Sequence, residues 1–424
     1  MNQQKNPPRV AVVGTGSGCG KTTVVCALLQ AFCNRGLKAT SFKCGPDYID
    51  PMFHQKVIGT PSRNLDLFFC GEDTVRYLFC RAAADAEISV IEGVMGMYDG
   101  IGPDTQEASS NHLAMVTKTP EILVVNTRGM SLSAAALLSG YAQFAPNQLA
   151  GVIFNGSSAG MYSSYAKMAQ SLGLQPLGYF PVVPQASVES RHLGLVTAGE
   201  IENLKEKMVL LAETAEKTLD LDGILQLAQS TVTLEYKKPS LPPLQQVSVR
   251  IGVALDEAFC FYYADSLRLL ERLGAELCPF SPLADAALPP GCSGMLLGGG
   301  YPELYAAELE RNDSMRESVR AAVQDGMPCV AECGGFLYLH RTLEDAQGIS
   351  HQMVGAIAAD GKRTNRLQRF GYATLTALRD NLLCKAGERI PIHEFHYWES
   401  TDSGNAFQAE KASNGWTWPC IHAA

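Results

Sequence analysis

The stretch Arg9 to Thr23, RVAVVGTGSGCGKTT, decides how the rest of the chain is read. The apolar run at residues 10–13 has the character of a buried parallel strand, and it empties into a glycine-rich turn that opens an apolar-periodic helix. Glycines at 14, 16, 18 and 20 let backbone N–H groups turn inward on an anion, and the helix adds its positive N-terminal end. Lys21 is then placed to reach terminal phosphates, and the Thr22 hydroxyl suits a magnesium ion. The reading assigns nucleotide binding to Gly16, Gly18, Gly20, Lys21, Thr22 and Thr23, with ATP and Mg2+ as cofactors.

The spacing departs from G-x-x-x-x-G-K-[ST], because Thr15 stands where the first glycine is usual and Gly14 lies one residue earlier. That Gly-Thr opening resembles the dethiobiotin-synthetase-like branch of P-loop enzymes. Position 16 is Gly, so the extra lysine that marks partitioning ATPases, five residues before the main one, is absent.

At 424 residues the chain is long enough for two or three domains, each with an ample core. A net charge of -9 argues against a nucleic-acid surface, which needs a basic face. No apolar segment approaches the ~18 residues needed to span a bilayer. The start MNQQKNPPRV carries no hydrophobic leader, so the expected location is the cytoplasm, without a membrane partner. Thirteen cysteines without a C-x-x-C pair fit reduced, mostly buried thiols.

Strand and helix signals alternate through the first half, with strands expected at 37–43, 88–91, 122–126 and 149–155 and helices near 73–84, 131–144 and 161–172. This pattern predicts a parallel α/β domain over residues 1–235, with chemistry at the carboxyl ends of its strands. Two of those ends carry acids. One runs into KCGPDYIDP with Asp47 and Asp50, the other into EGVMGMYDG with Glu92 and Asp99. Turn-forming or capping roles would explain Asp47 and Asp50 as well. Beside a phosphate cradle, however, Thr22, Asp47 and Glu92 form a sensible set of hard oxygen ligands for magnesium.

Helical patterns near 198–216 and 220–229 follow, and then YKKPSLPPLQQV at 236–247, with three prolines and no periodicity, reads as a linker. A second α/β unit, 248–424, is expected from strands at 249–255, 275–280, 293–297 and 328–331, with helices near 264–273 and 336–343. Its strand at 328–331 ends in Glu332-Cys333-Gly334-Gly335, a strand-to-helix turn that lifts a sulfur out of a sheet, with the helix end favouring the thiolate. Cys333 is therefore the expected nucleophile, and backbone N–H groups of Gly299 and Gly300 the expected oxyanion hole.

Taken together, GTGSGCGKTT, KCGPDYIDP and IEGVMGMYDG resemble the cobyrinate a,c-diamide synthases, and the resemblance continues through the second half to the class I glutamine amidotransferase domain. It implies ATP- and glutamine-dependent amidation of two acetate carboxylates of a corrin precursor, through an acyl phosphate. Asp47, Tyr48, Ile49 and Asp50 would lie beside the corrin acetates, Glu92 and Asp99 would serve metal and intermediate, and a homodimer is a further expectation. The segment 181–195, with Arg191 and His192, resembles the one that closes the first domain in the family.

The family's partner histidine sits in a segment of the type Tyr-x-His-Leu-His, and this sequence reaches only Trp418-Pro-Cys-Ile-His422-Ala-Ala. The expectation is a truncated chain, with His396 or His422 as the alternative base; His393 and His396 match another family segment, structural or substrate-adjacent. The same motifs fit a nickel-sirohydrochlorin or hydrogenobyrinate a,c-diamide synthase. From a different class, a P-loop ATPase switch protein is the alternative, opposed by Gly16 and by the whole second unit.

Overall fold

The computed structural model describes residues 3–186, 198–244 and 248–422, and the chain divides into two compact units, 1–240 and 241–424. Arg191 to Leu195 lie outside the described residues.

The first unit is built on seven parallel strands: β1 Arg9–Gly14, β2 Ala39–Cys44, β3 Ser62–Leu65, β4 Ile88–Glu92, β5 Glu121–Asn126, β6 Leu149–Asn155 and β7 Gln175–Phe180. Their order across the sheet is β3-β2-β4-β1-β5-β6-β7, so the chain reverses direction at β1. Such a switch point opens a crevice at the strands' carboxyl ends. In β1 the alternate residues Val10 and Val12 enter one core while Ala11 and Val13 enter another, which is why the run is continuously apolar. Helices Lys21–Asn34, Ala198–Thr218 and Leu221–Gln229 cover the first face; Glu72–Ala82, Ser110–Val116, Ser133–Gln143 and Ala159–Ser171 cover the second. Strands β3 and β7 had no clear sequence signal. Leu234–Tyr236, at the expected start of the linker, pairs antiparallel with Gln3–Lys5, and Tyr236 is buried in this unit.

The second unit has a four-stranded parallel sheet from β8 Val249–Ala254, β9 Ala275–Phe280, β10 Gly294–Leu297 and β11 Cys329–Ala331, in the order β9-β8-β10-β11. Its larger part was not anticipated: a six-stranded sheet assembled from residues 342–420, dominated by the antiparallel pair Asp360–Ala377 and Arg389–Ser400. The expected helix 336–343 is also corrected. Helix Gly334–Tyr338 is one turn long, and Thr342–Glu344 is instead a strand, held by Thr342 pairing with Asp360. The apolar spacing after Phe336 reflects burial in a shared core rather than helical continuation. Among the described residues no helix is long and apolar enough to cross a membrane.

Candidate functional site

In the first unit the turn after β1 is shaped by two glycines that nothing larger replaces. A Cβ on Gly14 would stand 2.4 Å from Cys19 Sγ and 2.8 Å from Lys21 Cδ; one on Gly20 would stand 2.0 Å from Asn155 Nδ2, at φ 97°. Gly16 and Gly18 face open space, Gly18 at φ 75°, as suits a turn that must admit a ligand. Two long-range bonds hold the turn: Asn155 Nδ2 donates to Cys19 O at 2.8 Å and Tyr141 Oη donates to Thr15 O at 2.8 Å. Neither residue was found from the sequence.

Lys21 is buried, its ammonium donating to Gly16 O at 2.9 Å and Met95 O at 2.5 Å. Burial lowers its pKa, against the pull of Glu92 and Asp99. Thr22 and Thr23 occupy the first turn of the helix, and Thr22 Oγ1 donates to Glu92 Oε1 at 2.6 Å. Asp99 Oδ2 accepts the Gly96 N–H at 2.7 Å, which ties Asp99 into the loop that crosses Lys21.

The acids converge, and at their centre is a residue the sequence reading passed over. Lys43, the fifth residue of β2, stands in register with Glu92 of β4, and its Nζ lies 2.5 Å from Asp50 Oδ2, 3.1 Å from Glu92 Oε1 and 3.8 Å from Asp47 Oδ2. Burial would discharge Lys43, but the three carboxylates outweigh it and hold its pKa well above the ordinary value. The carboxylates then part company. Burial would raise Asp50, yet Lys43 and His54 keep it below its usual range; burial and the Asp50 charge push Asp47 up to about 6 and Glu92 up to about 7.

Asp47 serves two ends at once. Its Oδ1 accepts the Ile49 N–H at 2.8 Å, the capping role, while Oδ2 faces Lys43. Tyr48 stands at the N-terminal boundary of the short helix Ile49–Phe53 that carries Ile49 and Asp50, and that helix runs on into a π-helical turn, His54–Ile58. Thr22, Asp47 and Glu92 thus share one cluster of hard oxygens, although no three His, Cys, Asp or Glu among the described residues are disposed to hold an ion unaided. The Thr22 hydroxyl and phosphate oxygens would have to complete a magnesium shell, which is the way magnesium is usually bound beside a nucleotide.

In the second unit Cys333 adopts φ 49°, ψ −109°, a strained position for a non-glycine residue between β11 and the one-turn helix. It is exposed, alone among the thirteen cysteines. A Cβ on Gly299 would lie 3.4 Å from Cys333 Cβ, so the glycine segment and the cysteine turn adjoin. Gly299–Gly300 is not a free loop, however: it pairs with Phe259–Phe261. Tyr262 fixes its entry, with Oη accepting the Gly298 N–H at 2.7 Å and donating to Ala254 O at 2.6 Å.

The expectation that the helix end favours a thiolate is corrected. Close packing around the sulfur and the carboxylate of Glu303, with a smaller push from Glu332, raise the Cys333 thiol to about 11, and the Gly334 N–H pulls the other way without offsetting them. A one-turn helix has little dipole to offer. Among the described residues no histidine is hydrogen-bonded to Cys333. His396 Nδ1 donates to Trp398 O at 2.7 Å and His422 Nε2 donates to Asp402 O at 3.0 Å. The His422 ring does lie 5.9 Å from that of Phe336, three residues beyond the cysteine. His393, opposite Tyr372 on the long hairpin, is driven down to about 4 by burial and Lys411.

Comparison with known proteins agrees with both halves. A family model described as the CobQ/CobB/MinD/ParA nucleotide binding domain matches residues 10–193, and one described as the CobB/CobQ-like glutamine amidotransferase domain matches residues 250–417. The cobyrinate a,c-diamide synthase of Listeria innocua is 41% identical over 93% of this chain and 88% of its own length. That of Salmonella typhimurium is 43% identical over 91% of this chain and 85% of its own.

Proposed function

We infer, from the premise that this chain belongs to the cobyrinate a,c-diamide synthase family, that it converts the a and c acetate carboxylates of cobyrinic acid to amides with ATP and glutamine, in cobalamin biosynthesis. The enzyme is an ATP-dependent carbon–nitrogen ligase with glutamine as amide donor. The observation that carries the division of labour is the meeting of Thr22, Glu92, Asp50, Asp47 and Lys43 beside the phosphate-binding turn.

In the first unit Lys21 and the N–H groups of residues 16–23 hold the triphosphate, and Thr22, Glu92 and Asp47 are the residues that would hold Mg2+. When bound, the ion supplies charge neutralisation at the transferring phosphoryl group. Transfer of the γ-phosphoryl group to a substrate carboxylate oxygen gives an acyl phosphate; ammonia then attacks the acyl carbon and phosphate leaves. Asp47 to Asp50, on the loop after β2, and Asp99 orient the acetate arms, and Lys43 keeps several carboxylates together that would otherwise repel. The ammonia comes from glutamine: the Cys333 sulfur attacks the side-chain amide carbon, with Gly299 and Gly300 beside the developing oxyanion, the nitrogen leaves as ammonia with the thiol proton, and water hydrolyses the resulting glutamyl thioester to glutamate and free thiol. A homodimer and a cytoplasmic location belong to the same proposal, testable by light scattering and by cell fractionation.

The decisive experiment is product mass after incubation with ATP, magnesium and cobyrinic acid, with glutamine or ammonium as nitrogen source. A fall of ~1 Da per carboxylate, up to two carboxylates per molecule, is the expected result of exchanging a carboxyl OH for NH2 by way of the acyl phosphate. No product from either source, with amidation of nickel-sirohydrochlorin instead, would overturn the substrate assignment.

A further inference from the structure

We propose that Tyr262 is a positioning residue for glutamine hydrolysis: its hydroxyl sets the height of Gly298, and through it the placement of Gly299 and Gly300 beside the Cys333 sulfur. The inference rests on the glutaminase reading of the second unit given above.

Of the three consecutive glycines at 298–300, the reaction described so far uses the last two. Gly298 is the residue at which the chain leaves β10 and swings across to pair with Phe259–Phe261. It is buried and tied on both sides. Its carbonyl accepts the Gly335 N–H at 3.0 Å, from the turn that carries Cys333, and its own N–H donates to Tyr262 Oη at 2.7 Å. Tyr262 Oη gives its single proton to Ala254 O, the last carbonyl of β8, at 2.6 Å, with Leu296 O a more distant neighbour at 3.4 Å. The hydroxyl therefore stands between the ends of β8 and β10 with one bond given and one received, as a phenol can. Burial raises its pKa, so the proton that makes the Ala254 bond stays in place. A Cβ on Gly298 would stand 2.5 Å from Tyr262 Cζ, so the tip of the ring packs directly on the glycine.

The far side of the same segment meets the nucleophile. A Cβ on Gly299 would lie 3.4 Å from Cys333 Cβ, and the Gly300 nitrogen is 3.2 Å from where a Cβ on Gly334 would stand. A shift of Gly298 thus moves Gly299 directly and disturbs the cysteine turn through the Gly335 bond. Oxyanion donors act only within about 2.7–3.1 Å of the position the charged oxygen will take, and a misplacement of about 1 Å can cost a hundredfold in rate. Without the phenol oxygen the buried Gly298 N–H loses its partner, and an unpaired buried amide is costly enough to pull the segment toward another. The loss falls on the transition state, where the oxygen carries charge, rather than on the bound glutamine.

Tyr262→Phe in the full chain removes the hydroxyl and keeps the ring. The readouts are glutamate release from glutamine in the presence of ATP, magnesium and cobyrinic acid, and calorimetric affinity for L-glutamate γ-semialdehyde, with melting temperature as the check on folding. The aldehyde needs no turnover. A C–S bond to Cys333 forms as the C=O π bond breaks, the thiol proton passes to the oxygen, and that oxygen lies where the oxyanion of the amide reaction develops. The expected result is a kcat for glutamate release lowered about tenfold to a hundredfold with KM within about twofold, and aldehyde binding weakened by a like factor. Unchanged kcat and aldehyde affinity, with Cys333→Ser losing both, overturns the role of Tyr262 and leaves the glutaminase reading standing. A rise in KM that accounts for the whole loss, with the aldehyde weakened no more than glutamine, is general loosening and overturns the role equally. An aldehyde that binds Cys333→Ser as tightly as the parent overturns the glutaminase reading, and this inference with it. Should Tyr262→Phe fail to fold, Gly298→Ala presses on the tip of the ring from the opposite side and is expected to give the same paired losses; no effect there overturns the proposal.

Discussion

Alkylation of Cys333 gives a direct measure of how the second unit holds its nucleophile. The thiol is raised from an ordinary value of 9.0 to about 11 by close packing and by the carboxylates of Glu303 and Glu332. Two units correspond to about a hundredfold less thiolate than an unperturbed cysteine at the same neutral pH, since each unit is a factor of ten. Iodoacetamide reacts with the thiolate, so a pulse of reagent followed by quantitation of the Cys333 peptide reports that fraction. Cys333 is the one exposed cysteine, so the pulse is read on its own peptide against the twelve less accessible thiols as internal references.

The rate is expected to climb from pH 6 to pH 10 without a plateau. The climb should be shallowest near pH 7, because Glu303, itself pushed by burial up to about 7, ionises there and raises the thiol further. Glu303→Gln should remove that shallow region and speed labelling at pH 8. A plateau at or below pH 8 in the unmodified protein would refute the reasoning, since it would mean that a cationic group stabilises the thiolate more than the two acids oppose it.

Other outcomes follow from single contacts. Cys333→Ser should abolish amidation with glutamine while leaving amidation with ammonium near its original rate, measured by product mass; loss of both would deny the two units separate steps. Gly20→Ala should lower ATP affinity at least tenfold with an unchanged far-ultraviolet spectrum, because its Cβ displaces Asn155 and the left-handed φ of 97° is lost to strain. Glu121, 0% exposed and with Oε1 unpartnered among the described residues, is pushed by burial up to about 8. The folded state therefore binds this proton more tightly than the unfolded one, so stability is greatest below pH ~4.5 and falls as pH rises to ~8. At pH 7 the accumulated loss is on the order of 3 kcal/mol, and Glu121→Gln should flatten the pH dependence of the melting temperature over that window. A variant whose profile falls as steeply as that of the parent would refute the assignment.

The site was legible where its signals are short in the chain. The turn from Gly14 to Thr23, the acids after β2 and β4, and Glu332-Cys333-Gly334-Gly335 each combine a strand, a glycine-bearing bend and a chemical group within about ten residues, because a phosphate cradle or a nucleophile elbow is a local backbone device. The parallel α/β character was legible for the same reason: strands buried on both faces must be continuously apolar, as Val10 to Val13 are.

What sequence did not reveal depends on register between strands far apart in the chain. Lys43 looks like one more polar residue in the mixed stretch ATSFKC; only the pairing of β2 with β4 sets it opposite Glu92 and makes it the counter-ion of three acids. Asn155 and Tyr141 acquire their roles through contacts across 136 and 126 residues. The mixed, mostly antiparallel sheet of residues 342–420 likewise lacks a clean alternation, because its long hairpin shifts register near Gln368 and mixes buried and exposed positions on both faces. The sequence by itself determined which chemical groups stand at the ends of which strands, since local backbone geometry and burial dictate residue type there. Tertiary structure decided which of those groups meet, and hence their charge states: a carboxylate's pKa is set by its burial and by the charges beside it, both of which exist only once the sheet has been assembled.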